Sequence, residues 1–203
     1  MSRLGAYLTL ERLGSLIATR EAAAALGMSA AAASRMLHRL EDEGHAHRVR
    51  SGVWAIGPTV PDPFEIASEL VRPHPAYVSF TSALNFHGLI DQIPREITVA
   101  SLGRARRIPT TLGTYAIHHL PPGLFGGWEE TRRGPIATPE KAVFDLSYAS
   151  VVHTGRARHI PELELRAGFD RVAITRWVAR IASPRLRTMT ARAVEEALAR
   201  ATR

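Results

Sequence analysis

The sequence contains no cysteine in 203 residues. That excludes a disulfide scaffold, a thiol nucleophile and any cysteine-based zinc site. Lysine is almost missing too, since Lys141 stands alone among arginines. Aromatic residues supply only 6 % of the chain. No apolar run approaches the ~20 residues that a membrane-spanning helix needs. The N-terminus lacks the basic flank and continuous apolar segment of a signal peptide. A soluble, cytoplasmic protein without a membrane partner is expected.

What is present points elsewhere. Apolar residues reach 45 %, enough for a sizeable core. The length fits one large domain or two small ones. The formal charge of +7 and the pI near 10.8 favour a polyanionic partner, nucleic acid first. A basic soluble enzyme is the alternative on charge alone.

Residues 3–57 carry three helical patterns and an alternating tail. Leu4 and Leu8, with Tyr7, Leu10 and Leu13 beside them, recur at helical spacing up to about Gly14. Residues 17–19 form an extended link, and Thr19 is placed to cap a second helix over residues 20–26. Gly27 supplies a turn. Ser29 caps a third helix that ends at Gly44, with Ala33, Met36, Leu37 and Leu40 as its buried face. After Gly44, Ala46, Val49, Val53 and Ala55 alternate with polar residues around a Ser51-Gly52 turn, which predicts a hairpin.

This order looks like a winged helix-turn-helix. Small residues at the start of its second helix let the backbone approach a major groove. The expected DNA contacts are Arg20, Ser29, Ala31, Ser34, Arg35, His38 and Arg39 on the helices, and Arg48, Arg50 and Ser51 on the wing. Over residues 1–57, seven arginines face five acids, so placement of the arginines rather than net charge carries this reading. His38, His45 and His47 lack acidic or thiol partners, and no metal or other cofactor is expected.

Residues 58–75 read as a proline-rich linker holding a short helix over residues 64–70. Residues 76–203 read as a mixed α/β unit with C-terminal helices, so the fold class expected for the whole chain is α+β. Residues 77–80 are extended, Thr81 or Ser82 caps a helical turn ending at Gly88, and residues 96–99 form a strand. His87, just before that glycine, reads as a helix C-cap or a hydrogen-bonded core residue. No nucleophile or carboxylate is spaced to form a triad with it. Residues 102–107 read as a loop bearing Arg104, Arg106 and Arg107, and residues 112–120 as a strand. Thr138 and Pro139 open a helix with Ala142, Val143, Leu146 and Ala149 as its buried face. Lys141 and Asp145 are four apart and read as an exposed pair worth roughly 0.3–0.5 kcal/mol. Two helices close the chain, one with Ile174, Trp177, Val178 and Ile181, the next capped by Ser183.

Three segments carry a resemblance: YVSFTSALNFHGLIDQIPREITVAS at residues 77–101, IATPEKAVFDLSY at 136–148 and HIPELEL at 159–165. Together with the preceding head, they resemble the AbiEi family of antitoxins from type IV-like toxin–antitoxin systems. The resemblance implies a bicistronic operon, a nucleotidyltransferase-like toxin as functional partner, and repression of the chain's own promoter through inverted repeats. In the family, neutralisation often needs no stable complex. Arg104, Arg106, Arg107, Glu140, Lys141 and Asp145 form the expected toxin-directed surface. Two other functions stay open. One is an antitoxin that modifies its toxin, for example by phosphorylation, although no catalytic motif is recognisable. The other is a winged-helix repressor that responds to a small ligand.

Overall fold

Alternation along three short strands explains how the N-terminal part joins the rest. The structure is a computed structural model that describes residues 2–154 and 160–202. The first helix, α1, spans Arg3–Glu11, with the Ser2 hydroxyl accepting from the Gly5 N–H. Strand β1 (Leu16–Ala18), helix α2 (Thr19–Leu26), helix α3 (Ala30–Asp42), β2 (Ala46–Arg50) and β3 (Val53–Ile56) follow. The three strands form an antiparallel sheet in the order β1-β3-β2. Successive side chains on a strand point to opposite faces. Ile17, Ala46 and Trp54 therefore pack under the helices, with Leu10, Ala33, Leu37 and Leu40. Leu16, Val49 and Ala55 point the other way and join the main core.

The stretch from Pro58 to Pro75 contributes to that core. Ile66, Ala67, Leu70 and Val71 are buried in it. The helix expected over residues 64–70 is instead a series of turns closing in a 3-10 segment at Glu69–Val71.

The second sheet has six strands in the order β6-β7-β5-β4-β9-β8. They are β4 (Ala76–Val78), β5 (Ile97–Ser101), β6 (Arg106–Thr110), β7 (Gly113–His119), β8 (Trp128–Thr131) and β9 (Gly134–Ala137). β5 runs parallel to β7 and β4 parallel to β9, while the remaining pairs are antiparallel. β6 was expected as part of a loop. Pro109 and two arginines are tolerated because β6 is an edge strand, where one side needs no ladder donor. Helix α4 (Phe80–Phe86) sits between β4 and β5. Helices α5 (Pro139–Thr154), α6 (Arg171–Ala179) and α7 (Pro184–Ala199) follow, and α5 packs against α4, α6 and α7. Among the described residues the chain is thus a mixed α+β fold with seven α-helices and two sheets. No helix among them is long and apolar enough to cross a membrane.

Candidate nucleic-acid interface

Helices α2 and α3 are joined by a turn that only glycine adopts cheaply. Gly27 has φ +62, and its N–H closes α2 by donating to Ala24. The Ser29 hydroxyl accepts from the Ala32 N–H at 3.2 Å, as its capping position predicts. Thr19 behaves differently from expectation. It is the first residue of α2, and the Glu21 carboxylate accepts the Ala18 N–H at 2.6 Å in its place. The Thr19 hydroxyl accepts instead from the Trp54 indole N–H at 3.0 Å, tying α2 to the hairpin.

On α3, Ala33, Leu37 and Leu40 are buried, while Met36 is only half-buried. Ala31, Arg35, His38 and Arg39 are exposed, and Ser34 is half-buried. Arg20, Ser29, Arg48, Arg50 and Ser51 are exposed as well. The structure gathers α3 and the hairpin around Trp54, a residue whose role the sequence did not reveal. His38 meets the indole edge-on at 4.8 Å between ring centres, and the Arg48 guanidinium lies 6.0 Å from the ring. Glu41 braces both, with Oε2 3.2 Å from His38 Nδ1 and Oε1 accepting the Arg48 N–H at 3.0 Å. Glu43, just past the end of α3, is paired with Arg3.

The hairpin is held from behind by the turn between β6 and β7. The Thr111 N–H donates to the Val49 carbonyl at 2.8 Å, and its hydroxyl donates to the Arg48 carbonyl at 2.9 Å. Sequence carried no signal of this contact, because it joins residues 62 positions apart.

The residues expected to face a toxin divide. Arg104, Arg106 and Arg107 are exposed. Arg107 pairs with Glu96 at 2.8 Å. Glu140 is half-buried and accepts the Asp170 N–H at 3.0 Å. Lys141 and Asp145 are corrections to the expected surface. Both are 0 % exposed and form a buried ion pair. The cause is the packing of α4, α6 and α7 around α5, which leaves residues 141–145 no solvent-facing side.

This pair is closely furnished. Asp145 Oδ2 accepts from Ser79 at 2.7 Å and from Tyr77 at 3.1 Å. Lys141 also donates to the Leu124 carbonyl at 2.8 Å, and its ammonium lies 4.5 Å from the Trp177 ring centre. Burial pulls the Lys141 ammonium below its ordinary pKa and pushes the Asp145 carboxyl above its own, and the partner's charge opposes each shift. Burial, reinforced by Asp145, raises the Tyr77 phenol. Because the Ser79 hydroxyl serves Asp145, it does not cap α4, although Ser79 rather than Thr81 or Ser82 occupies the cap position. Phe80 follows with φ +55, a backbone conformation that costs a bulky residue on the order of 1–3 kcal/mol. Hydrogen bonds on both sides of Phe80 hold it there, from the Ser79 hydroxyl to Asp145 before it and from the Ser82 N–H to the Thr98 hydroxyl at 3.0 Å after it.

His87 is the C-cap of α4, and its Nε2 lies 2.7 Å from the Ala137 carbonyl, as a hydrogen-bonded structural histidine would. His118 and His119 face opposite sides of β7, with His119 Nδ1 3.2 Å from the Gly103 carbonyl. Among the described residues, no three His, Asp or Glu side chains gather as a metal site would require. His159, the first residue of the third family-like segment, lies outside the described residues. No protein-family model matches the chain, and no curated protein matches it either.

Proposed function

We propose that the protein is a DNA-binding antitoxin that represses its own promoter and counteracts a nucleotidyltransferase-like toxin. In this reading residues 1–57 are a winged helix-turn-helix. Helix α3 enters the major groove with Arg35 and His38 towards base edges and Arg39 towards phosphate. The β2–β3 hairpin brings Arg48 and Arg50 to the flanking phosphates or minor groove. One observation carries the reading. The exposed face of α3 and the arginine-bearing hairpin are fixed to each other through Trp54 and Glu41. Such bracing orders side chains before DNA arrives, which lowers the entropy cost of binding. The antitoxin part rests on the resemblance of residues 77–101, 136–148 and 159–165. Inverted repeats require two copies of the chain on the operator.

Electrophoretic shifts with the promoter, run beside a toxin-rescue assay in cells, test both parts. Arg35→Ala with Arg39→Ala should abolish the shift and leave rescue intact. Loss of rescue in that variant would overturn the division of labour between head and body.

A further inference from the structure

Three stretches far apart in sequence meet at one cavity, and each brings a polar group that the structure leaves available. From the first, His87 Nε2 sits on the Ala137 carbonyl. A carbonyl only accepts, so in the neutral ring Nε2 carries the proton and Nδ1 keeps a free lone pair. From the second, Glu140 uses Oε1 for the Asp170 N–H and has Oε2 to spare. From the third comes Arg166. The Glu164 N–H donates to the Leu89 carbonyl at 2.8 Å, and the Leu165 N–H donates to the Thr202 carbonyl at 2.9 Å. These bonds deliver the Arg166 guanidinium onto the bare Cα of Gly88. A Cβ at position 88, where φ is +65, would stand 2.1 Å from Arg166 Nη2. Arg166 makes no side-chain hydrogen bond or ion pair among the described residues.

The cavity measures about 220 Å³ and is lined by His87, Leu89, Glu140, Arg166 and Phe169. A neighbouring hollow of about 450 Å³ shares the stretch from Arg166 to Phe169 and adds Arg171. Together they offer two guanidinium groups, two hydrogen-bond acceptors and one flat apolar face. An oxyanion answers the guanidinium fork, hydroxyl or amino donors answer His87 Nδ1 and Glu140, and a ring answers Phe169.

We infer that this cavity binds a small phosphorylated metabolite of the nucleotide or sugar-phosphate class. The phosphate sits on Arg166 with Arg171 alongside. Sugar hydroxyls donate to His87 Nδ1 and Glu140, and Phe169 covers the apolar part. The inference is independent of DNA binding by the N-terminal helices.

Titration calorimetry of the full chain with inorganic phosphate, ribose 5-phosphate and adenosine 5′-monophosphate tests it. Wild type should bind at least one of the two esters more tightly than inorganic phosphate. Arg166→Gln should weaken that binding by at least about tenfold, as expected for a lost charge-assisted contact. Because Arg166 is exposed, its replacement should leave the ligand-free melting temperature unchanged. If only the nucleotide binds, the ring on Phe169 is the selecting feature; if both esters bind alike, the sugar phosphate is. Failure of all three to bind, or binding that Arg166→Gln does not weaken, would overturn the inference. So would an Arg166→Gln variant that loses affinity for promoter DNA while wild type ignores the small phosphates.

Discussion

Helices α3 and α5 each carry a charged pair at four-residue spacing, and the two pairs have opposite fates. Arg35 and Arg39 stand in solvent, whereas Lys141 and Asp145 are sealed from it. The difference lies in what covers each helix. Helix α3 packs on α1, α2 and the small sheet along one face only. Helix α5 is enclosed by α4, α6 and α7. A charge without a protein partner is stable only where water reaches it, so the exposed arginines are available to a ligand. The enclosed pair must satisfy itself, and it does so with Ser79, Tyr77 and the Leu124 carbonyl.

The largest expected effect comes from breaking the enclosed pair on one side. Asp145→Ala leaves the Lys141 ammonium buried and unpaired, and should cost roughly 3–5 kcal/mol in denaturant unfolding. Lys141→Met with Asp145→Asn removes both charges and keeps an acceptor for Ser79 and Tyr77. That double variant should lie within about 1 kcal/mol of wild type or above it. A double variant as unstable as Asp145→Ala would mean that the ion pair itself is strongly stabilising.

The pH dependence follows from the directions of the shifts. Asp145 is raised above its ordinary 3.8, so its contribution is fully present below that value and is lost as pH rises through the folded-state pKa. Lys141 is lowered from 10.5, so its contribution is present above that value and is lost as pH falls through the folded-state pKa. The stability of wild type relative to the uncharged double variant should therefore be lowest in the neutral range and improve towards both extremes. Unfolding series of the two proteins across pH give this directly, and a neutral-pH maximum for wild type would contradict it.

A smaller effect is expected where the body holds the hairpin. Thr111→Val removes the hydroxyl donated to the Arg48 carbonyl but keeps the N–H bond to Val49. It should cost on the order of 0.5 kcal/mol and speed amide exchange in β2 and β3 without changing the rest of the chain. Unchanged exchange in the hairpin would show that Trp54 and Glu41 suffice to fix it.

Helix α3 was legible in the sequence because its signals are local. The Ser29 cap, the 3.6-residue spacing of Ala33, Leu37 and Leu40, and the Ser51-Gly52 turn all act within a few residues. The burial of α5 was not legible, because it depends on α4, α6 and α7, all distant from it in sequence. One local signal was present: over residues 141–151, Lys141 and Asp145 are the only charges, and a helix apolar nearly all round is usually an interior one. The β6 strand was hidden by Pro109 and its arginines, which only an edge position excuses. The Thr111 contact and the cavity around Arg166 arise from tertiary approach alone and leave no periodic trace.

The exposed arginines of α3 and the hairpin are proposed to bind DNA. Fluorescence anisotropy with the promoter repeat, at several salt concentrations, tests this most directly. Wild type should lose affinity steeply with salt. Arg39→Ala should flatten that slope by about one unit, and Arg35→Ala should weaken specific binding by roughly 1–3 kcal/mol. Binding that is equally tight and equally salt-dependent in wild type and in both variants would contradict the account.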